Sequence, residues 1–221
     1  MLNKIKQAFK ANIKPAIYLQ IVALAIALSY FFVPASAPFF NFLAYLKTTY
    51  GVSYAVISTS IFGGLLPYLL MLLTKQIHFR PIAQLFFYCI FWAFMGAVID
   101  SFYQYQAYLF GSDNQVSTII KKVLFDQFVF NIVFAAPFTA LCFLFRDSQF
   151  KVDSWLSGIN KQFFTEDIPV VLISTWIIWI PAVTIIYAMP SNLQIPLFNI
   201  VLCMFVLILA ILNKPNEAER L

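Results

Sequence analysis

Two carboxylates stand inside otherwise apolar stretches of this chain, Asp100 and Asp126. In a hydrocarbon environment a charge at mid-depth costs about 3 kcal/mol on insertion scales, so an acid kept there marks a pathway, a proton relay or a partner by default. Gln127 and Asn131 follow Asp126 one turn apart on the same stretch. Together Asp100, Asp126, Gln127 and Asn131 are the pore-lining candidates: a polar wall that would attract cations. The competing use of the same groups is hydrogen bonding between helices, which averages only about 0.6–2 kcal/mol per bond in membranes. Both uses stay open at this level. The spacing also makes Lys122 an i,i+4 partner for Asp126.

Enzyme chemistry finds no support in the residue set. His78 is the only histidine, so no zinc site of the His-Glu-x-x-His kind can be assembled. Gly63-Gly64 sits in an apolar run with no Lys after it, and no nucleophile elbow or phosphate-binding loop is present. Catalytic residues, metal ligands and cofactors are therefore not expected. Cys89, Cys142 and Cys203 all lie in apolar runs, an odd set that reads as small hydrophobes rather than a disulfide framework.

The elements that hold these residues must face lipid. Of 221 residues, 62% are hydrophobic and 10% charged, against about 25% charged in a soluble domain. The +5 net charge does not point to nucleic acid, because the basic residues fall between the apolar runs, where they set orientation and touch anionic headgroups. Six runs are long enough for a helix crossing of about 20 residues: Ala16–Val33, Val52–Leu73, Ile82–Tyr108, Val123–Phe145, Ile168–Met189 and Leu193–Leu212. None alternates as a barrel strand would. The fold class is an all-α, polytopic transmembrane bundle of six spans with short amphipathic interfacial helices. Antiparallel neighbours then put Asp100, about 12 Å inside its helix end, and Asp126, about 5 Å inside, in the same outer half.

Six spans place eleven Lys and Arg residues on one side and three on the other. Cytoplasmic loops carry that excess, so both termini are expected inside. The first run, with Ala35-Ser36-Ala37 after it, resembles a secretory signal. Its 18 residues exceed the about 7–15 of a signal's apolar region, and Pro38 would follow the cut, so a retained helix is expected. Two gaps have helical apolar spacing with flanking Lys and suit either headgroup helices or short connecting helices packed on the bundle: Leu2, Ile5, Phe9, Ile13 and Val152, Trp155, Ile159, Phe163. The organisation expected is a basic N-terminus plus an added first helix (1–38), a five-helix core (39–212) and a polar tail (213–221).

Small residues let helices approach closely. Ala93, Gly96 and Ala97 on the third run, and Gly63 and Gly64 on the second, are expected to be packing seams. Pro67, Pro137 and Pro181 fall well inside runs and can kink them. Trp176 and Trp179 lie near the middle of the fifth run, away from the interface that Trp prefers, which points to an internal face: a packing seam, the preferred assignment, or a pore constriction.

The stretch Lys121-Lys122-Val123-Leu124-Phe125-Asp126-Gln127 resembles the Lys-Lys-x-Leu-x-Asp-Gln of the peroxisomal membrane protein / Mpv-seventeen family, small proteins of mitochondrial and peroxisomal membranes. Gly96-Ala97-Val98-Ile99-Asp100-Ser101-Phe102-Tyr103 is similar to that family's Gly-Pro-x-x-His-x-Trp-Tyr, and Gly111, Trp155, Trp179, Pro181 and Met189-Pro190 echo further landmarks. The chain departs from the pattern at Ala97, Asp100, Leu65-Leu66, Ile180 and Gln194. The resemblance runs from about Phe39 onward and implies a pore-like role, since members are described as weakly selective channels for small solutes.

The first functional reading is thus a small passive solute pore. The second is a non-transporting scaffold or assembly factor, and the third a proton-coupled carrier using Asp100. Expected partners are a bilayer with anionic headgroups and small solutes; monomer and homo-oligomer are both open. A Lys-rich basic set without an Arg/Ser-rich transit peptide favours a bacterial plasma membrane, with an organelle membrane as the alternative.

Overall fold

The computed structural model describes residues 2–212, and the surroundings of the side chains within 10–207 except Ala11 and Val206. Every regular element among them is helical. Helix α1 is Leu2–Phe32. Helix α2, Ala37–Thr59, runs through a widened segment, Ser60–Leu65, into α3, Leu66–Leu73. Helix α4 is Pro81–Phe110. Helix α5, Val116–Phe125, continues through Asp126–Ala135 into α6, Ala136–Asp147. The short α7, Val152–Gly158, precedes a turn and Phe163–Asp167, which leads into α8, Ile168–Tyr187; α9 is Ser191–Leu212.

Five of these stretches are long and apolar enough to cross a membrane: Asn12–Phe32, Pro34–Leu73, Pro81–Phe110, Val116–Asp147 and Phe163–Tyr187. The chain is thus built as a multi-pass membrane protein. The sixth expected span coincides with α9, whose described apolar part, Ser191–Phe205, is shorter than the others. Exposure follows a lipid-facing pattern. On α1, Ala16, Leu19, Ala23 and Ala27 are buried, while Ile17, Ile21, Leu24 and Leu28 are about half exposed. A helix apolar on its outward face as well as its inward one needs lipid as solvent.

The buried face of α1 packs along α8 and α9, and the Gln20 side-chain amide donates to the Ile178 carbonyl at 2.8 Å. The added first helix is thereby an integral member of the bundle. The amphipathic stretch expected around Leu2, Ile5 and Phe9 is continuous with it as helix, and those side chains lie outside the described set.

Three expectations about the gaps are corrected. The second helix begins at Ala37 rather than Val52 and bends at Gly51, whose φ of 52° and ψ of −126° suit only a residue without Cβ. Lys47 is therefore a helical residue and not a loop charge. The gap before Asp126 shrinks to 111–115, so Lys121 and Lys122 also belong to a helix. The amphipathic helix expected over Val152–Phe163 breaks at Gly158. Asn160 then accepts the Phe163 N–H at 3.2 Å, starting the next helix and burying Phe163 within it.

The three widened segments share one cause. Each ends two residues before a proline: Leu65 before Pro67, Ala135 before Pro137, Asp167 before Pro169. In each, the residue ahead of the proline donates to the carbonyl five back: Leu66 to Ile61, Ala136 to Asn131, Ile168 to Phe163. Proline has no N–H and its ring crowds the carbonyl four residues back. Shifting to the longer hydrogen bond just ahead of it relieves that crowding without ending the helix.

Candidate functional site: an intramembrane cavity with an acidic end

A cavity of about 430 Å³ lies among α3, α4, α6, α8 and α9. Its wall on the α5–α6 helix runs from Asp126 to Arg146. The long Asp126–Ala135 segment decides which residues face it. With wider turns, Asp126, Gln127, Asn131 and Ala135 fall on one side, and all four line the space. Regular 3.6-residue turns would rotate this set gradually out of register. Proline 137 thus shapes the polar wall from a distance along the chain.

Asp126 is 6% exposed. The Tyr187 hydroxyl donates to its Oδ2 at 2.5 Å, and the Gln127 side-chain amide to its Oδ1 at 3.1 Å. Asn131 donates through Nδ2 to Gln127 Oε1 at 3.3 Å. Its own Oδ1 is buried and has no hydrogen-bond partner. The Trp176 indole N–H donates to the Gln127 carbonyl at 2.9 Å, fixing α8 to this segment. Tyr103 packs edge-on to Tyr187, ring centroids 5.1 Å apart. These partners all carry neutral donors. Lys122 does not pair with Asp126: its ammonium lies 5.9 Å from the centroid of the Tyr187 ring, and the acid whose field it feels is Asp113 in the preceding loop. That exposed acid is held below the usual carboxylate range, chiefly by the Gln115 amide, with the Thr118 hydroxyl adding to it.

The opposite part of the wall is basic. Arg146 donates to the Tyr88 hydroxyl at 2.5 Å, lies 4.6 Å from the Phe143 ring centroid and pairs with Asp147 at 2.6 Å. Between the two charged ends the lining is mostly aromatic and aliphatic, broken by Thr139 and Thr175, with Trp179 stacked on Phe198 at 5.1 Å.

Asp100 does not line this cavity. It is 2% exposed and engages Lys47 at 3.0 Å and 3.3 Å through its two oxygens, with Gln104 adding a 2.9 Å hydrogen bond. The pair ties α2 to α4. The expected common polar zone is thus two separate centres with no shared partner. A proton-relay role for Asp100 finds a lysine occupying that carboxylate.

The small residues behave as seams. A Cβ on Gly96 would lie 2.5 Å from the Ala55 carbonyl oxygen, one on Gly64 2.8 Å from that of Tyr88, and one on Gly63 2.6 Å from Leu202. Ala93 and Ala97 are half-buried on the same helix as Gly96. Of the tryptophan pair, Trp176 bridges helices while Trp179 also faces the cavity.

Several polar residues escaped the sequence reading. Thr59 donates to Asn199 Oδ1 at 2.8 Å and Asn199 to Ser58 at 2.7 Å, a buried link between α2 and α9. An Asn within the last apolar run was the available signal. Tyr187 carried none and Tyr103 only its place in the family-like stretch, because Tyr near a span end reads as an interface anchor. No family model, curated protein or solved structure matches the chain.

Proposed function

We propose that this chain is a passive solute pore, in which small molecules occupy and cross the cavity between the Arg146 end and the Asp126 end. The observation that carries the reading is Asn131: among the described residues three buried amide oxygens, on Gln20, Gln106 and Asn131, have no partner, and of these only Asn131 lines the cavity, on the wall it shares with Asp126. An unpaired buried acceptor costs about 1–3 kcal/mol, and a wet path relieves that cost with water or solute. The likeness of Lys121–Gln127 to the peroxisomal membrane protein / Mpv-seventeen family supports the same role. Purified protein in liposomes is expected to release small uncharged solutes and to retain larger ones. Release no faster than from protein-free liposomes would favour the scaffold reading.

In this reading α9 completes a sixth crossing and both termini lie on the basic, cytoplasmic side of a bacterial plasma membrane. The eleven-to-three division of Lys and Arg motivates the orientation. Single cysteines placed in the 74–80 and 148–162 connections should be labelled only from the cytoplasmic face, and one at Asn114 only from the other. Labelling of all three from one face would sink the six-span arrangement.

A further inference from the structure

We propose that the acidic end of the cavity is a binding site for a small organic ammonium ion, held by the Asp126 carboxylate and Asn131 Oδ1 and walled by Tyr103, Phe130 and Trp179. The assignment rests on the cavity being the solute compartment argued above, and it names the class of small molecule held most tightly there.

Three independent features lead to it. First, Asp126 is a deeply buried carboxylate for which, among the described residues, no lysine or arginine supplies an ion pair. The nearest basic residue along the helix, Lys122, is turned to the Tyr187 ring. Arg146, on the same wall, is twenty residues further along and paired with Asp147. Uncompensated charge at this depth is costly, and a cation arriving from solution offsets that cost.

Second, the free acceptor on Asn131 is of the kind an N–H donor needs. Asn131 is 2% exposed, its Nδ2 is spent on Gln127, and its Oδ1 has no partner. A carboxylate retains acceptor capacity beyond the two hydrogen bonds it receives here, whereas it offers nothing to donate. Carboxylate and amide oxygen together provide acceptors only, which suits an ammonium group and disfavours an anion.

Third, the rest of the wall around the acidic end is mostly apolar and aromatic. Tyr103, Phe130 and Trp179 line the space, and ring faces attract cations more strongly once water is excluded. About 430 Å³ falls in the range of small-molecule sites, roughly 300–1,000 Å³, and accepts an alkyl body behind the charged head. A hydrated metal ion would gain little from such walls, and the described residues contain no group of three His, Cys, Asp or Glu side chains able to hold one.

The test uses the full chain, purified in detergent, with n-butylammonium as probe and n-butanol and butanoate as its neutral and anionic counterparts. Binding is read by equilibrium dialysis and by tryptophan fluorescence. The ammonium is expected to bind saturably, about tenfold or more tighter than the alcohol, a factor corresponding to the cation–ring and ion-pair gain; butanoate should bind weakest. Asp126→Asn should remove the advantage over the alcohol, and Asn131→Ala should weaken ammonium binding more than alcohol binding. Should Asp126→Asn fail to fold, Asn131→Ala, which leaves the Tyr187 and Gln127 contacts to Asp126 in place, still decides the matter. Equal binding of all three probes, or ammonium binding indifferent to Asn131→Ala, overturns the site. Ammonium binding without solute release from liposomes would retain the site and overturn the pore; release without ammonium preference would do the reverse.

Discussion

Lys47→Met is expected to destabilise the protein by about 3–5 kcal/mol, the range found when one member of a buried ion pair is removed and the other left uncompensated. The Lys47 and Asp100 side chains are 11% and 2% exposed, so solvent screening is slight. With the ammonium gone, Asp100 keeps only the Gln104 amide. The second change should rescue the first. In Lys47→Met/Asp100→Asn no buried charge remains, and stability should return to within about 1 kcal/mol of the parent, because a buried pair replaced as a unit is close to neutral. Unfolding curves in detergent for the two single variants and the double measure this coupling directly. Equal losses in single and double variants would show that the pair contributes nothing beyond packing. Solute release by the double variant should match the parent, since neither residue lines the cavity.

Gly96→Ala is the second large effect. A Cβ at this position meets the Ala55 backbone oxygen at 2.5 Å and Thr59 Cβ at 2.8 Å. Neither is the flexible end of a long side chain, so α2 and α4 must separate. Overpacking of this kind costs about 1–3 kcal/mol, and it outweighs the gain of up to about 1 kcal/mol from replacing a helical glycine. The midpoint of thermal unfolding in detergent should fall, and Gly96→Leu should fall further. Gly51→Ala provides the contrast. Nothing lies within 4 Å of a Cβ there, so its cost comes from the positive-φ backbone alone, about 1–3 kcal/mol. An unchanged midpoint for Gly96→Ala would mean that α2 and α4 are not in close contact at this position.

The helical bundle was legible because continuous apolar runs have few other solutions in lipid. What could not be read were the points where a local rule gave way to packing. Lys47 looked like a loop residue because a charge interrupts an apolar run; its partner, fifty-three positions away, accounts for it inside a helix. The bend at Gly51 produces no periodicity of its own. Asp126, Gln127 and Asn131 stood out as polar residues in an apolar stretch, but their common face depends on the widened turns ahead of Pro137, which a 3.6-residue wheel does not reproduce. Asp100 was grouped with them because depth can be counted along a chain, whereas the direction a helix faces depends on its neighbours. Lys122 was paired with Asp126 on spacing alone. Asp113 and the Tyr187 ring, brought near by the fold, compete for it.

The central claim, that this cavity is a wet path for solutes, is tested most directly by a thiol on its wall. Thr139 lines the cavity between the two charged ends. Thr139→Cys is placed in a chain whose Cys89, Cys142 and Cys203 are replaced by alanine, and the protein is reconstituted into liposomes loaded with a small uncharged solute. A membrane-impermeant, positively charged methanethiosulfonate should modify this thiol in the folded protein and reduce solute release, while the cysteine-free parent is unaffected. A thiol that resists the reagent until the protein is denatured, with release unchanged by treatment, would contradict the account and leave the cavity a dry seam.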